Sequence, residues 1–115
     1  MNFDMNQDLE LRERELRSFF VENKDRRVGI PGDENWCPIA TYFCEKKNLN
    51  VSVGIGGEIF EVEDRQNRRL MKKWEQNFAD QIDNRYEHCD KVTGSQALVV
   101  LEDVTRGNIR QLQLF

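Results

Sequence analysis

The first hydrophobic pattern along the chain has the period of an α-helix. Its apolar positions are Leu9, Leu16, Phe19 and Phe20. This spacing predicts an amphipathic helix over 5–22, because residues three and four positions apart lie on one helical face. Asp4 can cap this helix, and Glu13 and Arg17 form an i,i+4 pair in the stabilising order.

A loop and a second, shorter helix follow. Residues 24–34 contain two glycines and a proline without an apolar period, which predicts a loop. The next apolar positions, three and four residues apart, are Trp36, Ile39, Ala40, Phe43 and Cys44. They predict a helix over 36–47. Because Pro38 is tolerated only in a first helical turn, this helix must begin within Asn35–Cys37, and Asn35 is a candidate cap.

Alternating apolar and polar residues predict a β-hairpin with strands over 49–55 and 58–63. Gly56–Gly57 separates the two runs, and glycine readily adopts the positive φ that a two-residue turn requires. Such a turn places Val53 opposite Phe60. The residues that then share one apolar face are Leu49, Val51, Val53, Ile55, Phe60 and Val62.

Helical patterns return in the second half of the chain. The longest predicted helix covers 65–86, and we expect it to cover the apolar face of the hairpin, because an isolated hairpin is only marginally stable. Its apolar positions are Leu70, Met71, Trp74, Phe78 and Ile82. Thr93 and Gln96 have the spacing of a capping box and predict a fourth helix over 94–105. The tail Ile109–Phe115 alternates weakly and is a candidate third strand at the hairpin edge.

Together these elements predict a single α+β domain over 1–115, with about four helices packed on a small antiparallel hairpin. Hydrophobic residues make up 38% of the chain and charged residues 33%, which indicates a small core and a strongly hydrated surface. No run approaches the roughly 18 apolar residues of a membrane span, and the first residues lack the pattern of a signal peptide. We therefore expect a cytoplasmic protein with reduced cysteines, no membrane partner and no cofactor.

A basic segment contrasts with the acidic remainder of the chain. Residues 64–73 carry a net charge of +4, whereas the whole chain carries −4 and its other residues therefore −8. The cations are Arg65, Arg68, Arg69, Lys72 and Lys73. In a helix they form like-charge i,i+4 pairs, which are unfavourable unless an anionic group offsets them. We interpret the segment as a binding site for an acidic patch, either on another protein or, through Asp80 and Asp83, on a second copy in a homodimer.

Trp36 is a further candidate binding residue. Its helical spacing favours a position in the core, but it also follows two acids and the turn residues of the loop over 29–35. Loops of this kind often carry binding residues, because a rigid scaffold presents them at the surface.

Cys37 and His88 are the candidates for catalysis. Cys37 lies beside a predicted helix start, where the helix dipole lowers a thiol pKa, and His88 is the single imidazole. No glycine-rich oxyanion loop lies near His88, which favours a non-enzymatic function. A zinc set of Cys37, Cys44, His88 and Cys89 has unsuitable spacing, because about 10.5 Å of helix separates the first two. We therefore predict no metal site.

The sequence thus predicts a small binding or regulatory protein that acts through protein–protein contacts. Two alternatives stay open. The first is a thiol enzyme that depends on Cys37, and the second is nucleic-acid binding through 65–73. Nucleic acid is the less favoured partner, because the acidic remainder of the chain repels a polyanion and no aromatic residues interleave with the cations.

Overall fold

The computed structural model describes residues 9–106 and confirms the α+β class. In this part of the chain, four α-helices accompany a two-stranded and a three-stranded antiparallel sheet. The elements in chain order are α1 (Glu13–Glu22), β1 (Arg27–Gly29), α2 (Pro38–Lys47), β2 (Val51–Val53), β3 (Glu58–Glu61), β4 (Asp64–Leu70), α3 (Lys73–Arg85), β5 (Val92–Thr93) and α4 (Gly94–Arg106).

Aromatic rings from α1, α2 and α3 form the centre of the core. The rings of Phe20 and Phe78 stack with centroids 5.7 Å apart, and Phe19 meets Tyr42 edge to face at 5.6 Å. All four side chains are buried. Aromatic pairs of this geometry add to the stabilisation that burial alone provides. The apolar stripe predicted for the first helix therefore faces the core, as do Ile39, Ala40 and Phe43 of the stripe predicted for the second.

The first helix begins later than predicted. α1 starts at Glu13, and residues 4–8 of the prediction, with its cap, lie outside the described residues. The preceding segment Leu9–Arg12 is held by side chains from far along the chain, because Arg69 Nε donates to the Leu9 carbonyl and Lys72 Nζ to the Leu11 carbonyl, each at 2.8 Å. At residues 9–12, tertiary hydrogen bonds thus take the place of the predicted helical ones.

Two local predictions are confirmed by direct contacts. The Thr93 N–H donates to Gln96 Oε1 at 2.9 Å, and the Gln96 N–H donates to Thr93 Oγ1 at 3.3 Å, which is the predicted capping box of α4. Glu13 and Arg17 form their i,i+4 ion pair at 2.5 Å. Both interactions join residues within one helical turn, so the local sequence specifies them.

α2 also forms as predicted, but the residue that precedes it is not the predicted cap. Pro38 is the first helical residue and Cys37 precedes it. Asn35 is not the cap, because its Nδ2 donates instead to the Val51 carbonyl on β2, at 3.4 Å. The loop before α2 is thereby fixed to the larger sheet.

The hairpin forms, but its register differs by one residue from the predicted one. Val53 lies opposite Ile59 rather than Phe60. The loop is longer than the predicted two-residue turn, because Ile55–Gly57 forms a 3₁₀ turn with positive φ at Gly56. A shift of one residue exchanges the two faces of a strand. Accordingly Ile59 is buried, whereas Val62, predicted on the apolar face, is exposed.

The predicted helix over 65–86 is wrong in its first part. Its first residues belong to β4, which pairs with β3, and α3 begins only at Lys73. In a helix the cations would lie in like-charged rows, whereas neighbouring residues of a strand point to opposite faces. Arg68 thus points to solvent and Arg69 inward, with side chains 61% and 11% exposed. Leu70, predicted as core, is 72% exposed.

The two-stranded sheet was not predicted. β1 pairs with β5, and Arg27 lies opposite Thr93. The sequence predicts a loop for the segment of β1 and a helix cap for the segment of β5. Next to it, Gly94 opens α4 so close to the end of α1 that an added Cβ would collide with the carbonyl oxygens of Phe20 and Asn23. The candidate strand Ile109–Phe115 lies outside the described residues, and the third strand of the larger sheet is β4.

A buried ion pair joins β4 to α3. The carboxylate of Glu75 is fully buried and accepts hydrogen bonds from Arg69 Nη1 at 2.8 Å and Nη2 at 2.7 Å. It also accepts from the Lys72 N–H at 2.7 Å, which completes the start of α3. Lys72 Nζ in turn donates to Glu10 at 3.2 Å, and this bond lowers the pKa of Glu10. The N-terminal segment, β4 and α3 are therefore connected through one network.

We expect Arg69→Met to destabilise the protein by about 3–5 kcal/mol, because it leaves the Glu75 carboxylate buried without its countercharge. The double variant Arg69→Met/Glu75→Leu should recover part of this loss, since it removes the buried charge as well. Urea unfolding measures both values. The matched control Arg68→Met concerns an exposed neighbour and should change stability by less than about 0.5 kcal/mol. Equal effects at the two positions would contradict the structural role of Arg69.

Candidate functional site

The structure divides the five predicted binding cations into two groups. Arg69 and Lys72 are used inside the fold, where they bind Glu75, Glu10 and the N-terminal segment. Arg69 is therefore not available to a partner, whereas Lys72 uses two donors within the fold and keeps a side chain that is 39% exposed. The exposed members of the set are Arg65, Arg68 and Lys73.

Arg65 and Arg68 lie on β4, the outer strand of the three-stranded sheet. The guanidinium of Arg65 lies over the ring of Phe60 at 5.2 Å, a cation–π contact that holds it on the sheet surface. Arg68 approaches Glu58 only at 4.0 Å, with its side chain 61% exposed. An exposed pair at this distance contributes little to stability, so Arg68 keeps most of its capacity to bind another anion.

The two edges of this sheet differ in how they are covered. At β2, the Val53 N–H donates to the Glu34 carbonyl at 2.9 Å, so the loop before α2 occupies that edge. At β4, within residues 9–106, no backbone group of another element bonds to residues 64–70 apart from the pairing with β3. As far as the described residues show, the outer edge of β4 is therefore open; it carries two arginines and the exposed Leu70, and a bulge at residues 65–67 interrupts its pairing with β3.

Trp36 is not part of this edge. Its indole is 51% exposed, so the prediction of a core position is wrong. It borders a depression of about 270 Å³ together with Arg26 and Arg27, on the side of the sheet that the loop before α2 covers. Arg26 is already paired there with Glu45 at 2.5 Å. The structure thus separates Trp36 from the cations of β4.

The two catalytic candidates do not share a site. Cys37 is buried at the start of α2, and His88 lies in the loop after α3 with its side chain 90% exposed and paired with Glu87. The pKa of Cys37 is raised to about 11, mainly by burial and to a smaller extent by charge repulsion from Asp83 and Asp33. The backbone N–H groups at the helix start act in the opposite direction, but the loss of hydration dominates. This environment suppresses the thiolate that a nucleophile requires.

The cysteines of the zinc hypothesis also have different environments. Cys37 is buried, Cys44 is partly buried and Cys89 is exposed, and all three are free thiols. Among the residues that the structure describes, no group of three or more His, Cys, Asp and Glu side chains could hold a metal ion.

Sequence reasoning missed two residues of the open edge. Phe60 was assigned to the buried face of the hairpin and Leu70 to the stripe of a helix, and both assignments followed from the wrong register or element. Phe60 is half-buried beneath Arg65. The unfavourable cation spacing in 65–73 was the signal that the segment is not a helix, because a strand removes that repulsion.

No family model, curated protein or solved structure matches this chain. Within residues 9–106, no helix is long and apolar enough to cross a bilayer. The chemistry of the surface and cavities is therefore what points to a function.

We expect iodoacetamide to modify Cys37 very slowly. A pKa raised from 9.0 to about 11 reduces the thiolate fraction at pH 7 about 100-fold, and burial restricts access as well. Between pH 7 and about pH 10 the rate should rise roughly tenfold per pH unit, because the thiolate stays the minor form below the raised pKa. Peptide mass spectrometry separates Cys37 from the exposed Cys89, which is the reference. Equal labelling rates at pH 7 would instead support the thiol-enzyme alternative.

Proposed function

We propose that the chain is a protein-binding module whose β4 edge takes up an extended acidic segment of a partner protein. The observation that supports this proposal best is the outer edge of β4, which no backbone group of residues 9–106 outside the sheet covers and which carries two exposed arginines. An extended peptide can add to such an edge as a further strand. Main-chain hydrogen bonds then provide affinity, and alternate side chains provide specificity.

The charges on β4 select the partner. Arg65 and Arg68 are exposed cations on a strand that also carries Asp64, in a chain whose net charge is −4, so the two arginines are the groups on this edge that attract an anion. Charged residues on an edge strand oppose pairing with a second identical edge, because like charges then meet. The same charges attract a strand that carries carboxylates. The edge therefore favours an acidic partner over a second copy.

Apolar contacts accompany the charges. Leu70 is 72% exposed, and Glu58 opposite it in the ladder is half-buried. An added strand with an acidic and an apolar residue two positions apart would place the carboxylate near Arg68 and the apolar side chain against Leu70, because Arg68 and Leu70 lie on the same face of β4. Burial of this leucine adds a hydrophobic contribution that salt does not screen.

Nucleic acid is the competing ligand, since phosphates are also attracted to arginine. Three features oppose it. Arg69 and Lys72 already bind groups of the fold, the ring of Phe60 already carries Arg65, and the rest of the chain is acidic. Fewer phosphate contacts and a repulsive net charge both weaken binding to a polyanion.

We expect Arg65→Glu/Arg68→Glu to weaken binding of an extended peptide that carries Glu and Val two positions apart by at least about tenfold, because two attractive contacts become repulsive. Fluorescence anisotropy with a labelled peptide measures the affinity, and salt raised from about 50 to about 150 mM should weaken it. N-methylation of every second peptide amide should abolish binding, since strand addition needs those N–H groups.

The matched control is Arg14→Glu/Lys91→Glu, which changes two exposed cations elsewhere and gives the same net charge. It should retain most of the affinity. Three results would refute the proposal: equal losses in both double variants, binding that survives N-methylation, or a mobility shift with duplex DNA that exceeds peptide binding at physiological salt. Light scattering that shows a stable dimer through β4 would assign the edge to a second copy and refute it as well.

A further inference from the structure

A second concave site lies between α2, β2 and α3, away from the basic edge. It is a cavity of about 220 Å³. Its floor is apolar and consists of buried side chains, among them Cys37, Ile39, Val53, Phe78 and Ile82. Cavities with an apolar floor and a few polar groups at fixed positions are typical of ligand sites.

The polar groups around this cavity all have the same charge. They are the carboxylates of Asp33, Glu34, Asp80 and Asp83, and no lysine, arginine or histidine lines the cavity. Within residues 9–106, none of the four forms an ion pair, in contrast to Glu45 and Glu75, which each have an arginine partner. The cavity thus concentrates negative charge that the fold does not neutralise.

Backbone hydrogen bonds fix two of these carboxylates. The Gly32 N–H donates to Asp83 Oδ1 at 2.8 Å, and the Asn35 N–H donates to Asp33 Oδ1 at 3.0 Å. The first bond joins the loop before α2 to the end of α3, so it also holds the two sides of the cavity together. Each carboxylate keeps an oxygen for a further donor. Groups held in place before binding lose little conformational entropy when a ligand arrives.

We propose that this cavity binds an ammonium group carried on a short unbranched apolar stem. The stem lies on the apolar floor, and the ammonium group donates to the carboxylates at the rim. An anion would meet four negative charges, and a neutral alcohol would gain only the apolar contact. Low-dielectric walls strengthen the attraction, because a cleft lined by one sign of charge focuses the field. The cavity is independent of the β4 edge. It selects a cation, whereas the edge selects an acidic segment.

The same chemistry is found in free alkylamines and in the lysine side chain of a polypeptide. The probes are therefore butylammonium for the free amine and doubly capped lysine for the side chain, with butyrate and 1-butanol as anionic and neutral controls. NMR titration of the ¹⁵N-labelled protein follows the backbone amides of Gly32, Gly54 and Ala79, which line the cavity. The amides of β4 serve as a reference for non-specific effects.

We expect saturable shifts at the cavity amides with butylammonium and at least about fivefold weaker or no binding of butyrate and 1-butanol. Asp80→Asn/Asp83→Asn should weaken butylammonium binding at least about fivefold, since it removes two charges and keeps the side-chain shapes. If capped lysine also saturates the shifts, the ligand is the lysine side chain of a polypeptide. Saturation by butylammonium alone would assign it to free amines. Either result supports the proposal.

The matched control, Asp25→Asn/Asp90→Asn, removes two exposed carboxylates that do not line the cavity and should bind as the unmodified protein does. Equal binding of butylammonium and 1-butanol, an equal loss in both double variants, or no saturable shift would overturn the proposal. None of these results affects the β4 edge.

A second measurement uses Cys37 on the cavity floor, in a Cys44→Ser/Cys89→Ser background. A methanethiosulfonate reagent with an ammonium group should modify it at least about tenfold faster than one with a sulfonate group, relative to their rates with a free thiol. Asp80→Asn/Asp83→Asn should reduce this preference, and equal rates for the two reagents would contradict the charge selectivity of the cavity.

Discussion

The ion pair between Arg69 and Glu75 connects β4 to α3. Glu75 is fully buried, and Arg69 and the start of α3 supply the three hydrogen-bond donors that its carboxylate needs in the core. Arg69 also holds the Leu9 carbonyl, so the N-terminal segment depends on the same side chain. Because the pair fixes the inward face of β4, it determines which of the neighbouring cations remain on the outside.

Interactions within a few residues could be predicted from the sequence. The capping box of Thr93 and Gln96 and the position of Pro38 in the first turn of α2 are both encoded by residues next to each other along the chain. The hairpin was also predictable, since its alternation and its two glycines indicate strands and a turn. The register of the hairpin could not be predicted, because the glycine pair is compatible with a loop of two residues and with a loop of four.

Long-range partners account for what the sequence did not predict. The segment 64–70 has the composition of a helix surface, and it becomes a strand because β3 offers a pairing edge and Glu75 offers a buried countercharge. Of the candidate binding residues, Arg65 and Arg68 share one surface, whereas Trp36 lies elsewhere. Nothing in the local pattern distinguishes Arg68 from Arg69. Only their positions on opposite faces of β4 separate an exposed cation from a buried one.

The close approach of α4 to α1 at Gly94 also sets the order in which the domain can assemble during synthesis. The carbonyl groups of Phe20 and Asn23 meet Gly94, and β1 meets β5, from opposite ends of the described chain. Contacts between distant residues form slowly, because a long loop must close first. On the ribosome, α2 and α3 can cover part of the apolar face of α1, but the part that packs on α4 stays uncovered until α4 has emerged. During that interval the nascent chain presents the kind of surface that chaperones bind.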